Sequence, residues 1–165
     1  MARLTVLGVG NILMQDDAVG VRLMEAVRDG RDWGPDVQFI DGGAGGLNLL
    51  SIIERANRLV VLDAADMGQP PGSARTVTVE QVVDDGAPGR LSLHELPLIG
   101  TLRLCRQFLR CPPTVIFAVQ PGVVEYGRGL GPRVQAAMAS LTCQALALVE
   151  RELEQAPRDA PTENG

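Results

Sequence analysis

The chain has 165 residues, the size of one ordinary domain, and with 45% apolar but only 3% aromatic residues it can fill a core with aliphatic side chains. Its net charge of −5 comes from 20 acidic and 15 basic residues scattered along the chain, so there is no basic stripe to neutralise phosphates and nucleic acid is not an expected partner. Every basic residue is Arg, and the lack of any Lys removes the P-loop lysine, the Schiff-base lysine and the kinase-type lysine together with their chemistries.

In chain order, residues 4–8 (LTVLG) read as a short buried strand, and 17–28 as a helix with Val19, Leu23, Met24 and Val27 on one face. Residues 37–41 (VQFID) read as a second strand, followed by the glycine-rich DGGAGG and a helix over 46–56. The run 58–64 (RLVVLDA) is continuously apolar until Asp63, which suits a parallel strand covered on both faces. Residues 75–80 (RTVTVE) alternate like a more exposed edge strand, a helix is predicted across 94–110, and 114–119 (TVIFAV) is another buried strand. The last helix is predicted to start at Pro132 and to repeat Val134, Met138, Leu141, Ala145 and Leu148 at helical spacing. Residues 155–165 (QAPRDAPTENG) offer nothing to bury and read as a disordered tail on a single domain of residues 1–154.

Strands alternating with helices imply an α/β three-layer sandwich with a largely parallel sheet and helices on both faces. Cys105, Cys111 and Cys143 match neither a zinc motif nor a disulfide framework; Cys105 and Cys143 fall on apolar helical faces and read as core. The apolar start, Leu4 to Leu13, is too short to span a bilayer and runs into acid rather than a cleavage site, so the expected location is the cytoplasm, away from any membrane.

Ligands of such sheets bind outside the carboxyl ends of the strands, which directs attention to five places. Gly8-Val9-Gly10 begins like a dinucleotide fingerprint, but the third glycine would fall at Leu13, so the glycines otherwise serve a tight strand-to-helix turn. Beyond it, Asp16 sits where a helix N-cap belongs and Asp17 becomes the first helical residue. There the helix dipole keeps Asp17 ionised by about 0.3–1 kcal/mol, as a metal ligand, a general base or simply a solvated first-turn acid. Asp63, at the end of its strand, is either a turn-forming residue or a second functional carboxylate beside the first strand's exit. His94 is the only histidine in the chain, a surface residue or a third member of the same rim. Two carboxylates and one imidazole make a plausible open site for a divalent transition metal that binds weakly and exchanges readily. Asp41-Gly42-Gly43 adds a flexible acidic loop on the same edge.

The pattern G-x-G-N-x-L-x-x-D-D/E-x-x-G over Gly8 to Gly20, then D-G-G, an apolar strand ending in Asp and a lone downstream His, resembles the hydrogenase maturation proteases over residues 4 to about 150. The resemblance implies an α/β fold with a five-stranded twisted sheet. It also implies an endopeptidase that removes the C-terminal extension of the nickel–iron hydrogenase large-subunit precursor once nickel is inserted, the nickel being supplied by that substrate. Asp17, Asp63 and His94 match the family's metal-contacting residues, here also assigned to catalysis, with Asp17 standing where some members carry Glu. Asp41, Gly42 and Gly43 match the motif proposed to recognise substrate, with Ala44 in place of a frequent Thr. No nucleophile-elbow G-x-S-x-G accompanies Ser92, which lies two residues before His94. Two other readings stand beside this one: a nickel-sensing chaperone that binds the same precursor without cutting it, and a nucleotide-binding module.

Overall fold

The computed structural model describes residues 1–83 and 97–158. Five strands form one sheet: β1 (Leu4–Gly8), β2 (Val37–Asp41), β3 (Leu59–Ala64), β4 (Ala74–Thr78) and β5 (Thr114–Val119), in the order β2-β1-β3-β5-β4. The first four in that order run parallel, and β4 closes one edge antiparallel to β5. Every residue of β1 and β3 is buried, as their largely apolar runs require of strands covered on both faces.

Helices α1 (Val19–Asp29) and α5 (Pro132–Gln155) cover one face, packing Val19, Leu23, Val27, Leu141 and Leu148 on Leu4, Val6, Val60, Leu62 and Phe117. Helices α2 (Leu50–Arg55), α3 (Val79–Val83) and α4 (Pro97–Phe108) cover the other, with Ile53, Val82 and Leu102 on Leu7, Leu59, Val61 and Ile116. Alternate residues of β1 and β3 thus enter opposite cores, the period-2 rule for a strand buried on both sides. The expected three-layer α/β architecture, mostly parallel and five-stranded, is the observed one.

Several boundaries differ from the sequence reading, each for a local reason. The predicted edge strand over 75–80 stops at Thr78 because a capping box starts α3 there. Gln81 Oε1 accepts from the Thr78 N–H at 2.8 Å while the Gln81 N–H donates to Thr78 Oγ1 at 3.4 Å. The helices predicted from 17 and from 46 each begin instead with a 3₁₀ turn, Gln15–Ala18 and Leu47–Leu49. Cys105 is buried as expected, but Cys143 is exposed, because α5 turns Leu141, Ala145 and Leu148 inward and leaves residue 143 on its outer side. Packing also continues past the expected start of the tail: α5 includes Gln155, Ala156 is buried, and Arg3 donates to the carbonyls of Leu153, Ala156 and Pro157.

Candidate active site

The strand order reverses direction between β1 and β3: the chain leaves β1 towards β2 on one side and crosses back to β3 on the other. A crevice therefore opens at their carboxyl ends, where the loops part. Asp17 and Asp63 both lie there. Asp63 is the fifth residue of β3, two positions before its Ala65 N–H donates to the Val119 carbonyl, and its side chain is buried. The 3₁₀ turn carrying Asp17 follows β1 and packs on β3.

Two glycines allow this approach. At Gly20, a Cβ would fall on the backbone carbonyls of Leu62 and Val9, so only Gly lets α1 press its first turn against the ends of β1 and β3. At Gly10, φ is +148° and a Cβ would strike the Asp17 carbonyl, so only Gly lets the exit of β1 fold under the turn that holds Asp17. The glycines of the first motif thus let the turn that carries Asp17 pack closely on the ends of β1 and β3.

The electrostatics follow from that closeness. Burial raises the Asp63 carboxyl well above the ordinary carboxylate range, and the negative charge of Asp17 raises it further; a hydrogen bond from the Ala64 backbone pulls the other way. Asp17 is half-buried and oriented by its own chain, its Oδ2 accepting from the Asn11 N–H at 2.8 Å. Asn11 in turn fixes the loop, its Oδ1 accepting from the Leu13 N–H at 3.0 Å.

Asp41 ends β2 opposite Gly8, at the same edge. Its Oδ1 accepts from the Gly43 N–H at 2.8 Å, the Gly42 N–H donates to the Gly8 carbonyl at 2.8 Å, and the Gly10 N–H donates to the Gly43 carbonyl at 2.7 Å. The D-G-G segment is therefore a turn fastened to the exit of β1, where a flexible loop is the sequence expectation. Gly43, with φ +57°, supplies the left-handed residue of that turn. His94 and Ser92 lie outside the described residues. Among the described residues no three His, Cys, Asp or Glu side chains gather into a group that could hold a metal ion.

Asp16 departs from its expected role. It is buried, and its carboxylate makes no cap on its own helix. Instead Oδ2 accepts from the N–H groups of Gly122 and Val123, both at 2.8 Å, and Oδ1 from that of Gly131 at 2.6 Å. Gly131 is the residue before Pro132 at the start of α5, so Asp16 ties a segment more than a hundred residues away in sequence to the turn after β1. The local cap loses because three distant donors satisfy both oxygens, where a cap satisfies one or two.

Gln120, absent from the sequence reading, braces the same edge. Its Oε1 accepts from the N–H groups of Met67 at 2.6 Å and Gln69 at 3.3 Å, and its Nε2 donates to Asp66 Oδ1 at 3.2 Å. The signal was present: Gln120 is the first polar side chain after the apolar strand TVIFAV, just as Asp63 ends the apolar run of β3.

Comparison with known proteins follows the same lines. A family model described as hydrogenase maturation protease matches residues 21–148. The chain is 34% identical over 161 residues to the hydrogenase 2 maturation protease of Escherichia coli, covering 96% of this chain and 98% of that one. It is 35% identical over 150 residues to the hydrogenase expression/formation protein HupD of Bradyrhizobium diazoefficiens, covering 88% of this chain and 78% of that one. The solved structure of the hydrogenase maturating endopeptidase HybD from Escherichia coli superposes with a TM-score of 0.75 at 31% identity, over 92% of this chain and 93% of that one.

Proposed function

This chain belongs to the hydrogenase maturation protease family, and on that footing we propose that it is the endopeptidase that removes the C-terminal extension of a nickel–iron hydrogenase large-subunit precursor after nickel insertion. The observation that carries the reading is the pair Asp17 and Asp63, brought by β1 and β3 to one edge of the sheet with the charge of the first raising the carboxyl of the second. Burial and the charge of Asp17 disfavour ionisation of Asp63, and a divalent cation facing the pair relieves that penalty. The donor chemistry therefore suits a metal that arrives with the substrate, with His94 as the imidazole of the set.

In this mechanism the precursor docks with its nickel against Asp17, Asp63 and His94, which places the scissile peptide at the crevice. The chemistry supplied by the substrate's nickel is polarisation of the scissile carbonyl or acidification of the attacking water. One of the two carboxylates takes a proton from that water as its oxygen bonds to the carbonyl carbon, and returns the proton to the leaving nitrogen as the C–N bond breaks, releasing the amine and a new C-terminal carboxyl group. The D-G-G turn, fastened to Gly8 and Gly10 beside the pair, is assigned to substrate recognition.

Intact mass spectrometry tests this directly. A nickel-loaded large-subunit precursor is incubated with the wild type, with Asp63→Asn and with His94→Ala, and a nickel-free precursor with the wild type. Loss of a C-terminal peptide from the loaded precursor with the wild type alone is the expected result. An unchanged mass in every arm overturns the protease reading and leaves the chaperone that binds without cutting; cleavage of the nickel-free precursor overturns the dependence on nickel.

A further inference from the structure

Ten large apolar side chains are exposed among the described residues, and five of them lie on two short segments that touch. Ile12 and Leu13 sit in the turn after β1, 43% and 41% exposed; Val123, Val124 and Tyr126 sit in the loop between β5 and α5, at 36%, 48% and 83%. These segments are far apart in sequence and joined in space. The Gly127 N–H donates to the Leu13 carbonyl at 2.8 Å, the Gln15 N–H to the Gly127 carbonyl at 3.2 Å and the Asp16 N–H to the Val123 carbonyl at 3.0 Å. The Asp16 carboxylate then takes the three N–H groups of Gly122, Val123 and Gly131.

The loop has no regular structure of its own and holds Gly122, Gly127, Gly129 and Gly131, so its position has to be imposed from outside. A buried acid supplies that constraint by accepting three of the loop's N–H groups, while the side chains of Val124 and Tyr126 stay exposed. The next residue after Asp16 is Asp17. Whatever fixes this loop therefore sets an apolar surface beside the candidate catalytic carboxylate.

We propose that Ile12, Leu13, Val124 and Tyr126 form the wall against which the polypeptide substrate lies next to its scissile bond, and that Asp16 is a positioning residue that holds this wall in register with Asp17. The inference rests on the protease reading above. The occupant is a polypeptide segment with apolar side chains: the wall is continuous through residues 12–17 with the site of peptide-bond hydrolysis. A membrane surface suits it poorly, because the exposed Glu125 and the carboxylate of Asp17 repel anionic headgroups and only Arg128 among the residues of these two segments would attract them.

The test measures affinity and cleavage separately, with nickel-loaded precursor as the probe, on the wild type, the double surface variant Val124→Ser/Tyr126→Ser, Asp16→Asn and Asp16→Glu. The double variant, whose side chains are exposed, should melt with the wild type and bind the precursor with Kd and KM raised about fivefold or more, as truncated interface anchors do. The loss should sit in KM rather than in kcat, because the wall binds ground state and transition state alike. Asp16→Asn and Asp16→Glu, assayed well below their melting temperatures, should show the same KM rise. Unchanged Kd and KM in the double variant refute the wall; wild-type KM in the folded Asp16 variants refutes the positioning role. Wild type that binds the precursor yet leaves it intact overturns the protease reading while the Kd comparison still decides the wall, and wild type that neither binds nor cuts overturns both.

Discussion

Truncating Asp16 to Ala removes one carboxylate and leaves three backbone N–H groups without their acceptor. Hydrogen bonds to a charged partner contribute about 1.5–3 kcal/mol each, but three that share one carboxylate do not add. Gly122 and Val123 are exposed residues whose N–H groups water can reach after truncation, whereas Gly131 is buried and its N–H bears the full desolvation cost. The sum is about 3–5 kcal/mol, which for a chain of this size corresponds to a fall in melting temperature of about 10 °C. Had Asp16 been the cap of its own helix, the cost would be about 1 kcal/mol and the fall about 3 °C. Thermal melting followed by circular dichroism, with urea titration to confirm an unchanged m-value, separates the two. Asp16→Asn should fall between, since its amide keeps one acceptor and turns an NH2 towards an N–H. A loss below about 4 °C for Asp16→Ala would refute the long-range tie and restore the local cap.

Three further outcomes are expected. Gly20→Ala drives a Cβ into the Leu62 and Val9 carbonyls and should cost at least about 1–3 kcal/mol, read as a lower melting temperature; a variant as stable as the wild type would remove the reason given for the glycine. Gly100→Ala, in α4 with nothing within 4 Å of the new methyl, should stabilise by about 0.5–1 kcal/mol, and a destabilised variant would show that the helix is packed more tightly there. For Asp63 the folded carboxyl titrates above its unfolded value, so its favourable contribution is complete below the ordinary carboxylate range, about pH 4, and is lost as pH rises towards its folded value. Asp63→Asn escapes that loss, so its melting temperature relative to the wild type should climb from pH 4 to pH 7 while cleavage is abolished. A difference that stays flat with pH would contradict the burial of an ionisable Asp63.

Much of this protein is local in its sequence. The largely apolar runs 4–8, 59–64 and 114–119 specify strands buried on both faces, and Pro132 followed by the Val134, Leu141, Ala145, Leu148 spacing specifies the long helix, because periodicity and φ restriction act over a few residues. Asp63 stands out for the same reason, as the acid that interrupts an apolar run. The Thr78-Val79-Glu80-Gln81 capping box was also legible, though alternation of the preceding residues masks it. Other features belong to no local pattern. Asp16 looks like a helix cap in sequence and becomes a tie to Gly122, Val123 and Gly131 only because the fold returns β5 and its exit loop to the end of β1. Gln120 braces Met67 and Asp66 for the same reason. That Asp17 raises the carboxyl of Asp63 depends on β1 and β3 being neighbours and on Gly20 letting α1 press close. The residue types at this edge were thus settled by the sequence, while their partners and the raised carboxyl of Asp63 were decided by tertiary structure, because hydrogen bonds, burial and Coulomb interactions depend on distance in space and not on separation along the chain.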